Sequence, residues 1–329
     1  MFATLRWSGL AFLVRETIQR HRVTIVDYHE VTPDILDHHL TVLRKRYNFL
    51  ALRDYVEAVQ SGGVGALPAK PLVVTIDDGH KSVYELADVC RRHGVRPTVF
   101  LCSGIVGTAR GFWWRTARSL EEATRWKRMD HDARMEVLAS RGFSETRDFP
   151  ERTALSRSEI DETREVFDFQ AHTVFHPILT TCSDERSWFE IERAKRDLEQ
   201  EYGLDVYALA YPDGAYSDRE IGYLLGTGYT CAVTTDAGYN GSNPDLYRLK
   251  RIGMGETGST WLPSESAART TDANEVVVRA CGLLASLKQL LSRQDRSRSR
   301  PEGPPTLSPA RRTTQDKAVA VEQEKKTTD

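Results

Sequence analysis

The sequence predicts an α/β fold of parallel βα units, either a barrel or a doubly wound sheet, and three observations carry that prediction. Short β-branched runs recur between Arg22 and Ile252. The segments between them carry apolar residues at helical spacing, and strand, helix, strand repeated at this pitch is the pattern of βα units. The residues with the most chemistry to offer fall just after the strands, at the carboxyl ends where barrels and open sheets collect their active residues.

Taken in order, residues 1–21 come first. Trp7–Val14 (WSGLAFLV) is a short apolar stretch, but Arg15 and Glu16 follow at once and no small-x-small cleavage site precedes Arg20 and His21. We read an amphipathic helix or surface strap rather than a signal peptide. The α/β domain spans 22–255, with strands at Val23–Tyr28, Pro71–Ile76, Arg96–Cys102, Val166–Ala171, Val206–Tyr211 and Tyr229–Val233. Ile35–Tyr47, Ser82–His93 and Arg186–Tyr202 read as helices. Residues 108–158 break the pattern with a run of charge and aromatics, an expected helical insertion acting as a cap or a subunit contact. Ser156 followed by Glu159 fits a capping box that starts the helix before strand Val166–Ala171. Residues 256–291 form a C-terminal helical segment that packs on the domain or docks on a membrane surface or partner. Residues 292–329, polar and proline-bearing, hold too few large apolar side chains to offset ordering entropy and read as a disordered tail.

With 329 residues, the chain is long enough for one large domain or two modest ones. Its 45 basic and 47 acidic residues give a net charge of −2, which argues against a dedicated nucleic-acid partner. No stretch approaches the roughly 18 to 20 apolar residues of a membrane-spanning helix. The five cysteines, Cys90, Cys102, Cys182, Cys231 and Cys281, show no paired-ligand spacing, so reduced thiols in a cytoplasmic compartment are expected.

Asp77-Asp78-Gly79 follows the apolar run VVTI, so two carboxylates leave a buried strand where a glycine lets the chain turn. Adjacent residues leaving a strand point to different sides, so one can bind an ion while the other faces substrate; a helix cap with a turn is the bland alternative. His172 and His176 in AHTVFHP sit four apart after another strand, and both imidazoles can converge on one ion if the loop turns. Two surface histidines would look the same, but one carboxylate with two histidines, each just past a strand, makes a three-ligand set with positions left for water. Such a metal lowers the pKa of water and polarises a carbonyl, while the neighbouring carboxylate serves as general base. His29 in DYHE could protonate a leaving amine or simply bond a loop carbonyl. Tyr211-Pro212-Asp213-Gly214 is a turn whose N–H groups could face an oxyanion.

These segments together resemble the polysaccharide deacetylases of the NodB-homology group, carbohydrate esterase family four. The resemblance covers about residues 23–254 and rests on VDYHEV, TIDDG, PTVFLCSGIVGT, FQAHTVFHPIL, LAYPDGAYS and GYTCAVTTDAG followed by RLKRIGM, in that order. It implies a distorted (β/α) barrel of about seven parallel strands. It also implies Asp77 as catalytic base, Asp78, His172 and His176 as metal ligands, and Tyr211, Pro212 and Asp213 as an oxyanion and substrate loop. The chain departs from the family in Ile76 for the usual aromatic, in Asp213 after the Tyr-Pro pair, and in lacking a late Leu-x-His motif. The subgroup acting on β-1,6-linked poly-N-acetylglucosamine has a histidine in an early MYH-type motif, which His29 resembles, making it the implied general acid. Trp113 and Trp114 could line a sugar site or pack a core.

The expected activity is removal of N-acetyl groups from an amino sugar in a polysaccharide, oligosaccharide or lipid-linked precursor, with Zn²⁺ first among Co²⁺, Ni²⁺ and Fe²⁺ as the metal. The expected location is cytoplasmic, with a peripheral contact to the inner membrane surface through the N-terminal helix. The alternatives are a silent carbohydrate-binding relative and an Fe(II) facial-triad oxygenase, the latter disfavoured because Asp78 lies far from His172 in sequence.

Overall fold

A computed structural model describes residues 10–254; the expectations for residues 1–9, for the 256–291 segment, for the 292–329 tail and for Cys281 lie outside them. The strands are β1 (Thr24–Tyr28), β2 (Asn48–Phe49), β3 (Pro71–Ile76), β4 (Thr98–Leu101), β5 (Asp168–Ala171), β6 (Ala208–Ala210), β7 (Cys231–Ala237) and β8 (Leu249–Gly253). The helices are α1 (Leu10–Thr17), α2 (Pro33–Arg44), α3 (Leu52–Gln60), α4 (Ala87–His93), α5 (Leu120–Lys127), α6 (His131–Ala139), α7 (Arg157–Thr163), α8 (Asp184–Tyr202) and α9 (Asp218–Thr227). All strand pairs are parallel, in the order β1-β8-β7-β6-β5-β4-β3, and β1 closes on β3 from Thr24↔Leu72 to Tyr28↔Ile76. The result is a seven-stranded (β/α) barrel, with β2 paired to the outside of β3. It is distorted where β5 and β6 share a single register pair and where β7 and β8 shift register between Val233 and Ala237.

The side-chain period of two sorts each strand between two cores. Ile25, Val73, Phe100, Ala208, Ala210, Val233 and Leu249 point into the barrel. There they meet Leu52, Tyr55 and Val56 of α3, which plugs the amino end of the strands alongside Val23 and Tyr207. Val26, Leu72, Val74, Ile76, Leu101, Phe169 and Leu209 point outward and bury the apolar faces of the surrounding helices. Each such side chain, fully buried, contributes roughly 1.5–3 kcal/mol.

The same alternation carries four polar side chains inward near the carboxyl ends: Asp27 after Ile25, Asp77 after Val73 and Thr75, His172 after Asp168 and Gln170, and Arg251 after Leu249. The 108–158 insertion packs a separate cluster, Trp113, Ala117, Ala123, Trp126, Leu138 and Phe143, against Ile178. Ser156 and Glu159 close a reciprocal capping box at the start of α7. Among the described residues no helix is long and apolar enough to cross a membrane, and Cys90, Cys102, Cys182 and Cys231 are free and buried.

Candidate active site

Strained backbone marks the site. Five described non-glycine residues adopt positive φ, and four of them are Asp78, Thr173, His176 and Asp213, the fifth being Lys70. Such conformations cost on the order of 1–3 kcal/mol each and persist only where the surroundings enforce them. Asp78 turns at φ 70 and Gly79 at φ 65, where a Cβ would stand 2.6 Å from Leu101 Cδ2, so the turn requires glycine. The histidine loop is held from within and below. The His176 N–H donates to Thr173 Oγ1 at 3.0 Å, and the Val174 and Phe175 N–H groups donate to Glu190 Oε2 at 2.8 and 3.0 Å. Glu190 lies fully buried on α8, paired through Oε1 with Arg186 at 2.6 Å, and Arg186 reaches on to Glu145 of the insertion at 2.7 Å.

These turns bring Asp78, His172 and His176 together. His172 Nε2 and His176 Nε2 lie 3.4 and 3.5 Å from the same atom, Asp78 Oδ1, which is buried and accepts no hydrogen bond. Donor atoms around a tetrahedral ion at about 2.0–2.1 Å stand about 3.4 Å apart, so this spacing suits a divalent metal. The His172 Nδ1–H donates to the Ala210 carbonyl at 2.8 Å, leaving the Nε2 lone pair for an ion. Burial would raise the Asp78 carboxyl, but the neighbouring His172 and His176 rings hold it well below the usual range. Burial, with the adjacent His172 ring, pushes His176 down to about 3, so it is neutral and fit to ligate.

Asp77 points the other way, into the barrel, and is held there by Arg251, which no strand reading of the sequence had placed. Both Asp77 oxygens accept from the Arg251 guanidinium at 2.7 Å, and the arginine also donates to Thr75 Oγ1 and the Thr234 carbonyl. Burial favours the neutral Asp77 acid, but the charge and hydrogen bonds of Arg251 outweigh it and the carboxyl sits below its ordinary value. Asp27, His29 and Asp77 converge so that one ligating atom from each lies within 4.8 Å of the others, which sets His29 close to both carboxylates.

The remaining expected residues divide. The Trp114 ring lies 4.4 Å from the His176 ring and is half-buried, so it flanks the Asp78, His172 and His176 group. Trp113 is buried; its Nε1–H donates to the His176 carbonyl at 2.9 Å, which makes it a prop for the loop. Tyr211 takes the outward position after Leu209. Its hydroxyl donates to the Tyr247 carbonyl at 3.0 Å and its N–H to the Val233 carbonyl at 3.2 Å, so both are spent within the fold. Pro212 is buried and has no N–H, and Asp213 pairs with Lys127 of α5. Glu30 pairs with Arg115 and stands 3.7 Å from His80 Nε2. Glu30, Arg115 and Lys127 also escaped the sequence reading, because charged residues inside loops and insertions carry no periodic signal, and so did Glu190, which on α8 looks like a solvated helix glutamate until its burial is seen.

The model of the family described as polysaccharide deacetylase matches residues 65–232. Among solved structures, the chain is similar to the Streptococcus pyogenes deacetylase PplD in complex with acetate, at 22% identity and a TM-score of 0.53, covering 70% of this chain and 92% of that one. It is also similar to IcaB from Ammonifex degensii, at 17% identity and a TM-score of 0.53, covering 78% and 97% of the two chains. The BpsB deacetylase domain from Bordetella bronchiseptica gives 13% identity and a TM-score of 0.51, covering 71% and 95%. No curated protein matches.

Proposed function

The chain belongs to the polysaccharide deacetylase family, and from that premise and the site geometry we propose that it is a metal-dependent hydrolase that removes N-acetyl groups from an amino sugar within a glycan. The observation that carries the reading is the convergence of Asp78, His172 and His176 on one unpartnered buried oxygen beside Asp77. The chain is a glycan deacetylase by family; the residue roles, the metal and the N-acetyl preference are our assignment.

Asp78 Oδ1, His172 Nε2 and His176 Nε2 would hold the ion, with Zn²⁺ the best fit to a buried two-nitrogen, one-oxygen set. A divalent metal there supplies Lewis-acid polarisation of the acetamide carbonyl and lowers the pKa of water. Asp77, kept ionised by Arg251, takes the proton from the attacking water. The oxyanion contact falls to the Asp213 N–H, because in its turn Tyr211 and Gly214 spend theirs on Val233 and Tyr211 carbonyls and Pro212 has none. His29, clustered with Asp27 and Asp77, is placed to give a proton to the departing amine, leaving acetate and a free amino sugar. Trp114 offers an apolar face for the pyranose ring beside the ligands.

The test is stoichiometric release of acetate and appearance of a primary amine on N-acetylated oligosaccharides by the metal-loaded protein. Binding of those oligosaccharides without acetate release would instead make the chain a silent carbohydrate-binding member of its family.

A further inference from the structure

At the opposite end of the barrel from the site, the chain carries an apolar and cationic face that the deacetylase reading does not use. On and just after α1, Phe12 is 61% exposed, Leu13 56% and Ile18 44%, three large apolar side chains within seven positions. The other side of α1 is anchored, with Val14 and Arg15 buried and Gln19 accepting from the Tyr47 hydroxyl at 2.9 Å. Cations adjoin the residues that anchor α1. Arg20 and Arg22 are exposed, the Arg20 carbonyl accepts the Lys70 N–H at 3.0 Å, and the Lys70 carbonyl accepts the Asn48 N–H. Arg44, exposed, ends α2, and Lys45, also exposed, and Arg46 follow it directly before Tyr47. Among the residues joined by these bonds the acid is Glu16, already paired with Arg15 and Lys70. All of them lie at the amino ends of β1, β2 and β3, whereas Asp77, Asp78 and His29 follow the carboxyl ends.

We propose that this face docks on a bilayer carrying anionic headgroups, with Phe12, Leu13 and Ile18 entering the interface and Arg20, Arg22, Arg44, Lys45 and Arg46 meeting the phosphates. Exposed bulky apolar side chains beside a basic cluster are what an interfacial helix needs, because neither the apolar insertion nor the electrostatic attraction suffices alone. The geometry then sets the orientation of the enzyme. A six-residue strand such as β3 is about 20 Å long, so the mouth of the barrel faces away from the membrane and receives glycan from the aqueous side.

The experiment is co-sedimentation of the full chain with vesicles of phosphatidylcholine alone and of phosphatidylcholine with phosphatidylglycerol. The protein pellets with the anionic vesicles only, and raising salt from 0.1 to 1 M releases most of it, because screening shortens from about 10 to about 3 Å. The double variant F12S/L13S loses binding, and R44Q/K45Q weakens it about twenty-five-fold, about fivefold for each cation removed. Both keep the parent far-UV circular dichroism and acetate release, since none of these residues touches the site. Absence of pelleting, or pelleting that both variants retain, overturns the proposal. So does a dimer in sedimentation velocity that F12S/L13S dissolves, because the face would then belong to a second copy.

Discussion

Replacing Arg251 with methionine removes the guanidinium that both Asp77 oxygens contact at 2.7 Å and leaves the carboxylate buried inside the barrel. Breaking a buried pair in this way costs about 3–5 kcal/mol. The carboxyl can escape that cost by taking a proton, and at about 1.4 kcal/mol per unit the penalty corresponds to a rise of roughly two to four units. Arg251 holds the parent Asp77 below its ordinary value, so its share of stability is present above about pH 4 and is lost as pH falls through the folded value. In the variant the sign reverses: the stability deficit is greatest above the raised value and narrows as acid protonates Asp77. Two assays read this. Urea unfolding at pH 7.5 and pH 4.5 shows a deficit of about 3–5 kcal/mol that shrinks at the lower pH. The acidic limb of kcat/KM for acetate release moves up by about two units, so the variant falls up to about 100-fold below the parent as pH is lowered beneath the parent's own limb, while the two converge at neutral pH. A folded R251M enzyme with the parent's acidic limb and turnover would refute the claim that Arg251 keeps a catalytic Asp77 ionised.

Other outcomes follow from the same geometry. Asp77→Asn abolishes acetate release yet retains the metal, as elemental analysis and a fixed-time assay show, because Asp77 lies outside the ligand triad. Glu190→Ala frees two buried loop N–H groups and Arg186, and competition with a chelator reads a metal affinity 10- to 100-fold weaker, the usual cost of an outer-shell loss. Trp114→Ala raises KM about fivefold with metal content unchanged, in line with the roughly 1 kcal/mol of an aromatic contact; unchanged KM would remove the tryptophan from the sugar site.

The barrel and most of its site were legible because strand ends announce themselves. β3 reads as an unbroken apolar run stopped by Asp-Asp-Gly, and its observed span, Pro71–Ile76, matches the run itself. β2 and β8 left weaker marks. β2 is two residues long, and β8 (LKRIG) buries a charge at Arg251, so its apolar alternation is interrupted where the function lies. A buried arginine looks like a solvated one until its acidic partner, distant in sequence, is placed beside it. Tyr211 illustrates the converse. Its position after a strand suggested a rim residue, but counting in twos from Ala208 puts it with Leu209 on the outer face. Applied to Ile25, Asp27 and His29, the same count sets Asp27 and His29 on the inner face beside Asp77.

The central claim is that Asp78, His172 and His176 hold a catalytic metal, and the direct measurement is elemental analysis of the purified parent beside His172→Ala. The account predicts about one equivalent of zinc or a similar divalent ion in the parent and its loss in the variant. A parent that takes up no metal even after reconstitution, or a variant that keeps its full equivalent, would contradict it.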